Sequence, residues 1–206
     1  KNKKILDFGS GLGLVSQFLG ENNEVVAIEP EKEMLFAYPN HTYKKILGSL
    51  EQVEKFEAES FDIVLCHNVL EYIEEKNREN YLSELKRVLK QDGKLSIIKH
   101  NQVGKIMQAV VFSNDVDQAL DLLKGNEFRS VSFNSGTTYT IDKLLEMSKM
   151  KLVKYQAIRT FYSLQMNEVK TKDNWLKKMT EMELAVCDLY PYKDISFLQH
   201  VWLMKE

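Results

Sequence analysis

Apolar runs and apolar stripes alternate along most of this 206-residue chain. Ile5 to Phe8, Val25 to Ile28, Phe61 with Ile63 to Cys66, and Leu95 with Ile97 and Ile98 are short and largely continuous. That is the pattern of parallel strands buried on both faces. Helical patterns lie between them. Leu14 to Leu19 follows the first run, and Tyr81, Leu82, Leu85, Val88 and Leu89 form one stripe at i, i+1, i+4, i+7 and i+8. Asp92-Gly93 then predicts the turn into the next strand. Strands alternating with helices predict an α/β fold, a doubly wound sheet covered on both sides.

After Ile98 the rhythm breaks. Val103 to Phe112 and Asp115 to Lys124 read as helices, and a Ser/Asn/Gly/Thr-rich stretch runs on to Thr138, so 101–139 is expected to be a helical insertion on the C-terminal edge of the sheet, after its fifth strand. Beyond it the pattern predicts a helix at Ile141 to Ser148, a strand near Leu152 to Phe161, a helix near Trp175 to Val186 and a last strand near Phe197 to Leu203. Trp175, Met179, Met182 and Val186 fall at i, i+4, i+7 and i+11, which reads as a core stripe rather than a ligand box. With no repeat, linker or low-complexity tract, one domain over 1–206 is expected.

Composition narrows the function classes. Lys plus Arg is 28 against 30 for Asp plus Glu, a net charge of −2, with 44% hydrophobic and 28% charged residues. This is globular composition without the basic footprint of a generic nucleic-acid binder. No apolar stretch is long enough for a membrane span and the N-terminus lacks signal-peptide shape, so a soluble, non-secreted, cytoplasmic protein is expected. Cys66 and Cys187 have no metal-ligand spacing, predicting two reduced, packed thiols and no metal site.

The chemistry concentrates early. Three of the nine glycines, Gly9, Gly11 and Gly13, follow the first strand within five residues. Such a turn lets backbone pass against a bound cofactor. Leu14 stands where a dinucleotide fingerprint needs its third glycine, which points away from NAD and FAD. Glu29 ends the second strand, twenty positions beyond Gly9 and just before Pro30. A carboxylate there can accept hydrogen bonds from the 2′ and 3′ hydroxyls of a ribose.

Together, Asp7-x-Gly9-x-Gly11-x-Gly13 after a strand, Glu29, and Phe61-Asp62-Ile63-Val64 resemble the class I S-adenosylmethionine-dependent methyltransferases over nearly the whole chain. The resemblance implies a Rossmann-like, mostly parallel seven-stranded sheet with an antiparallel last strand, S-adenosylmethionine as cofactor and S-adenosylhomocysteine as product. Carried over residue by residue, it implies that Gly9, Ser10, Gly11 and Gly13 line the methionine and ribose side, that Asp7 supports the loop and that Glu29, next to Pro30, holds the ribose. It further implies that Ser49 and Leu50 flank the adenine, and that His67 and Asn68 face the methionine part. This family usually carries a helical segment ahead of the first strand that helps cover cofactor and acceptor; Lys1 lies only a few positions before that strand, so such a segment is not in view.

Methyl transfer from a sulfonium is an in-line displacement, so positioning does most of the work and an anionic acceptor needs no general base. Few or no indispensable catalytic side chains are expected. His100, Asn101, Tyr139, Arg159, Tyr162 and His200 fall at predicted strand ends or in the insertion, as acceptor-side candidates. Arg159 is favoured for an anionic acceptor, because a guanidinium grips a carboxylate bidentately. Each has a plainer reading: His200 as a core residue, Arg159 as a surface ion pair, Tyr139 as an anchor of the insertion. His41 reads as a surface turn residue.

The leading expectation is transfer to a small-molecule or carboxylate oxygen, with no membrane partner. A narrower likeness supports an alternative. Cys66-His67-Asn68-Val69-Leu70-Glu71-Tyr72, Lys99-His100-Asn101, Arg159-Thr160-Phe161 and His200-Val201 look like the bacterial enzymes that methylate the carboxylate of 5-carboxymethoxyuridine in the tRNA wobble position. Those enzymes carry a dense lysine run in the insertion, whereas here Lys124 and Arg129 are the only basic residues between Ile106 and Ile141. A third reading is a cofactor-binding module without turnover.

Overall fold

The computed structural model describes residues 1–39, 41–128 and 135–206; Arg129 and part of the polar stretch before Thr138 lie outside the described residues. The first half alternates strand and helix: β1 (Lys4–Phe8), α1 (Leu14–Gly20), β2 (Glu24–Glu29), α2 (Lys32–Leu35), β3 (Lys44–Leu47), α3 (Leu50–Val53), β4 (Phe61–His67), α4 (Glu75–Val88) and β5 (Leu89–His100). Then come α5 (Gln102–Val111), α6 (Val116–Leu123), α7 (Ile141–Ser148), β6 (Lys151–Ile158), α8 (Asn167–Lys170), α9 (Trp175–Val186), α10 (Tyr192–Ile195) and β7 (Leu198–Met204). Among the described residues seven strands form one sheet in the order β3-β2-β1-β4-β5-β7-β6, mostly parallel with antiparallel strands last. β1 pairs in parallel with both β2 and β4, Ile5 standing opposite Val25 on one side and Ile63 on the other. The strand order reverses at β1, where such sheets open a crevice at their C-terminal ends.

The chain groups into two compact units. The first comprises Lys1–Ile97, Leu144–Val153 and Trp202–Glu206. Its core joins Ile5, Val25, Ala27, Tyr43 and Leu65, with Leu19 and Ile63 packed against them. Leu82, Leu85 and Val88 of α4 are wholly buried, as the stripe predicts, and each such side chain contributes roughly 1.5–3 kcal/mol. The second unit comprises Ile98–Lys143 and Lys154–Val201. Within it α5 packs on α6, whose first turn is capped by the Asp115 carboxylate accepting from the Gln118 N–H at 2.9 Å. Gly104 on α5 lies so close to the Ser196–Phe197 backbone that any side chain would collide with it.

Two expectations are corrected, and one strand left no signal in the sequence. Asp92-Gly93 makes no turn: β5 begins at Leu89 and runs through both residues. Gly93 is needed instead for close strand approach, since a Cβ would stand 3.0 Å from the Asp62 carbonyl oxygen and 2.7 Å from Leu89. The α9 stripe is not core. Val186 is the buried residue of that helix, Trp175 and Met179 are half-buried, and Met182 is exposed. β3, which carries two lysines and no sustained apolar run, gave no strand signal. Cys66 is buried as expected, Cys187 only half-buried, and both are free.

Candidate functional site

The glycine loop is built by backbone geometry. After β1, Gly9, Gly11 and Gly13 all take left-handed dihedrals (φ 75°, 55° and 76°). The Gly9 and Ser10 N–H groups donate to the Ile28 carbonyl at 2.9 and 3.1 Å, fastening the loop to the neighbouring strand. A side chain at Gly9 would collide with Val69, and one at Gly13 with the Tyr43 hydroxyl, so left-handed backbone and close approach both require glycine there. At Gly11 a Cβ would meet only Met34, at 3.8 Å, so the middle of the loop is open.

Glu29 is the clamp of this loop. Its Oε2 accepts the Gly11 N–H at 2.8 Å and its Oε1 the Glu31 N–H at 3.0 Å. Its own carbonyl accepts from Gly48 N–H at 3.1 Å, which ties the exit of β3 to that of β2. The side chain is buried, and its carboxylate is turned onto the loop. A carboxylate has about four acceptor positions, so one backbone donor on each oxygen leaves room for two more. Ser10 Oγ is buried with no hydrogen-bond partner among the described residues, an orphaned polar atom within the same loop. An open glycine turn, a carboxylate with spare acceptor positions and an orphan hydroxyl fit a cofactor bearing a ribose diol and further polar groups.

Asp7 supports the loop from below. It is buried, accepts from Ser16 Oγ at 2.6 Å, and its pKa is pushed up to about 6, chiefly by burial and further by the Glu29 charge, against the lowering effect of Ser16. The exit of β4 arrives alongside: Val69 packs against Gly9, and exposed Asn68 takes a left-handed backbone (φ 54°). His67 Nε2 lies 2.9 Å from Ser96 Oγ on β5, so that nitrogen is already engaged. Ser49 N–H bonds Glu51 Oε1 at 2.8 Å as α3 begins; Leu50 is buried and Pro30 exposed. A broader cleft of about 740 Å³ at Lys3, Glu24, Asp62 and Lys90 gathers at the opposite ends of β1 and β2. Asp62 there is taken by Lys90 Nζ at 2.9 Å and Lys4 N–H at 2.8 Å.

The acceptor-side candidates all lie in the second unit. His100 packs between Phe128 and Phe197, ring centroids 4.8 and 5.5 Å away. Burial, then the charges of Lys105, Lys99 and Arg159, lower its pKa to about 3. The Arg159 guanidinium stands 5.2 Å from the Tyr162 ring and 5.1 Å from that of Phe197. It makes no ion pair among the described residues, so the surface-ion-pair reading falls. Tyr139 is buried, with Lys99 Nζ 5.1 Å from its ring centroid. His100 and Arg159 thus both approach Phe197, and Tyr162 stands on Arg159. Asn101 does not join them, because its amide donates to the Asp194 and Ser196 carbonyls at 2.8 and 2.9 Å. His200 is half-buried on β7, and burial, then Lys154, lowers its pKa to about 4.

Sequence reasoning gave no site role to Tyr43 and Val69 at the loop, to Ser96 beside His67, or to Lys105, Phe197 and Glu183 in the second unit. Only Lys105 left a signal, the one charged residue of its helix, directly after Gly104.

The fold is the Rossmann-like α/β fold of solved methyltransferases. Residues 6–97 match the family described as Methyltransferase domain. Over 120 residues it is 30% identical to the ubiquinone biosynthesis O-methyltransferase of Glaesserella parasuis, covering 53% of this chain and 50% of that protein. The chain thus spans about half the length of that curated relative. A solved S-adenosylmethionine-dependent methyltransferase from Methanosarcina mazei superposes with a TM-score of 0.65 at 15% identity, covering 99% of this chain and 92% of that one. The 1,6-didemethyltoxoflavin-N1-methyltransferase of Burkholderia thailandensis, solved with its substrate and S-adenosylhomocysteine, gives 0.61 at 15% identity, with coverages of 100% and 72%. At that identity the likeness concerns the fold alone. Among the described residues no helix is long and apolar enough to cross a membrane, and no cluster of metal-ligating side chains occurs.

Proposed function

We propose that the protein is an S-adenosylmethionine-dependent methyltransferase acting on an oxygen of a small-molecule or carboxylate acceptor. The observation that carries this reading is the Glu29 carboxylate, hydrogen-bonded to Gly11 N–H at 2.8 Å in an open glycine loop. Support comes from the methyltransferase family match over residues 6–97 and from the O-methyltransferase name of the bacterial relative.

When bound, the cofactor supplies an electrophilic methyl group. The chain's own residues hold and orient. The Glu29 oxygens take the ribose hydroxyls on their remaining lone pairs, and Ser10 Oγ finds its missing partner. Asn68, Ser49 and Leu50 flank the same loop exits. Asp7 and Glu29 set two carboxylates near one another beneath and beside the loop, a negative field that favours a cationic sulfonium. No step needs a strong base. His100 and His200, with pKa values near 3 and 4, are neutral and weakly basic at pH 7, which suits an acceptor that arrives already ionised.

Incubation with methyl-labelled cofactor and a library of small organic acids and phenols tests the reading. Label in an acid or phenol supports it. Label only in a tRNA nucleoside transfers the assignment to the tRNA-modifying class, and cofactor binding with no label in any acceptor leaves a binding module.

A further inference from the structure

β6 ends at Ile158, and Arg159 follows with a left-handed backbone, φ 59°, which is costly for a residue with a side chain. The turn is held by one acid. Thr160 N–H donates to Glu183 Oε2, and Phe161 and Tyr162 N–H to Glu183 Oε1, each at 2.8 Å. Pinned this way, Arg159 lies at an open cleft of about 250 Å³, whose walls include Ala157, Ile158, Tyr162, Met179 and Leu184. Of the α9 stripe, Met179 lies in this wall.

The charge balance of this cleft is unusual. Arg159 Nε is buried with no hydrogen-bond partner, and the guanidinium makes no ion pair among the described residues. Glu183 also lines the cleft; its charge acts on Arg159, while backbone donors take both acceptor positions of Oε1 and one of Oε2. A second cation, Lys170, stands 4.7 Å from the Tyr162 ring centroid, and burial together with the Arg159 charge lowers its pKa. Two like charges share one aromatic ring beside apolar walls, with a donor unspent.

We propose that this cleft binds a small organic carboxylate, its acid group on the Arg159 guanidinium and an apolar body of one-ring size against Ile158, Met179 and Leu184. The size agrees, since an apolar cavity of about 150 Å³ already takes benzene. A planar guanidinium with parallel donors matches a carboxylate bidentately. As a binding site the cleft is independent of the methyltransferase reading; taking the bound acid as the methyl acceptor rests on that reading.

Calorimetric titration of the whole chain without cofactor, using phenylacetate and its neutral isostere phenylacetamide, tests the site. Phenylacetate should bind at least about tenfold more tightly than the amide, because a charge-assisted pair to Arg159 is lost in the latter. Arg159→Gln, checked for folding by circular dichroism, should abolish the preference, and Arg159→Lys should keep part of it. Equal affinities for acid and amide on the unaltered chain, or no binding of either at about 10 mM, overturn the proposal whether or not the variants fold. So does an acid preference that survives in Arg159→Gln. A parallel titration with S-adenosylhomocysteine scores the methyltransferase reading separately.

Discussion

Replacing Asp7 by Asn should make the protein more stable at neutral pH while damaging the loop it supports. Asp7 is only 3% exposed and its carboxyl is raised from 3.8 to about 6, first by burial and then by Glu29, with Ser16 opposing. Moving a carboxyl from 3.8 to about 6 corresponds to about 3 kcal/mol of differential interaction between its two protonation states. The sign follows from proton binding: between the unfolded value and pH 6 the native state holds the proton that the unfolded chain releases. Stability from this group is therefore full below about pH 4, falls as pH rises to 6, and is absent above it. Asn mimics the protonated form and can still accept from Ser16 Oγ. Urea unfolding of both proteins at pH 4 and pH 7.5 isolates the residue, because all other titrations cancel in the difference. Asp7→Asn should gain up to about 3 kcal/mol at pH 7.5 and close to nothing at pH 4. An equal difference at both pH values, or a loss at pH 7.5, would refute the reasoning. The same variant should bind S-adenosylmethionine more weakly, since a carboxylate kept at a cost in stability is one that a cationic ligand uses.

Gly13→Ala should destabilise by on the order of 2–4 kcal/mol, combining a left-handed backbone with collision against the Tyr43 hydroxyl. Adding Tyr43→Phe should recover part of the loss, and a thermal-melt double-mutant cycle showing no recovery would contradict that cause. Glu183→Ala should cost on the order of 3 kcal/mol by freeing three backbone donors at Thr160, Phe161 and Tyr162, while leaving cofactor affinity unchanged; loss of cofactor binding would argue against the local role assigned to it. Asn101→Ala should lower stability by about 1–3 kcal/mol through its two carbonyl partners, measurable by urea unfolding, and no change would mean those bonds are dispensable.

Continuous apolar runs and the α4 stripe were legible because burial on both faces leaves a pattern in the chain itself, and α7 and α9 fall on the residues their periodicity predicts. Gly9, Gly11, Gly13 and Glu29 were legible because left-handed backbone and a carboxylate at a strand end demand particular residue types. What stayed hidden depends on partners far away in sequence. Gly93 reads as a turn until Asp62 is seen beside it, and Met179 reads as core until the cleft at Arg159 appears. Asn101 reads as a substrate ligand until the Asp194 and Ser196 carbonyls are found on its amide. The grip of Glu183 on three successive N–H groups, likewise, leaves no mark in a solvated-looking helix.

The most direct test is calorimetric titration of S-adenosylhomocysteine into the unaltered chain and into Glu29→Ala. One saturable site per chain is expected, weakened by about 1–3 kcal/mol in the variant as the ribose hydroxyls lose a charged acceptor. No binding to the unaltered chain, or the same affinity in both proteins, would contradict the account.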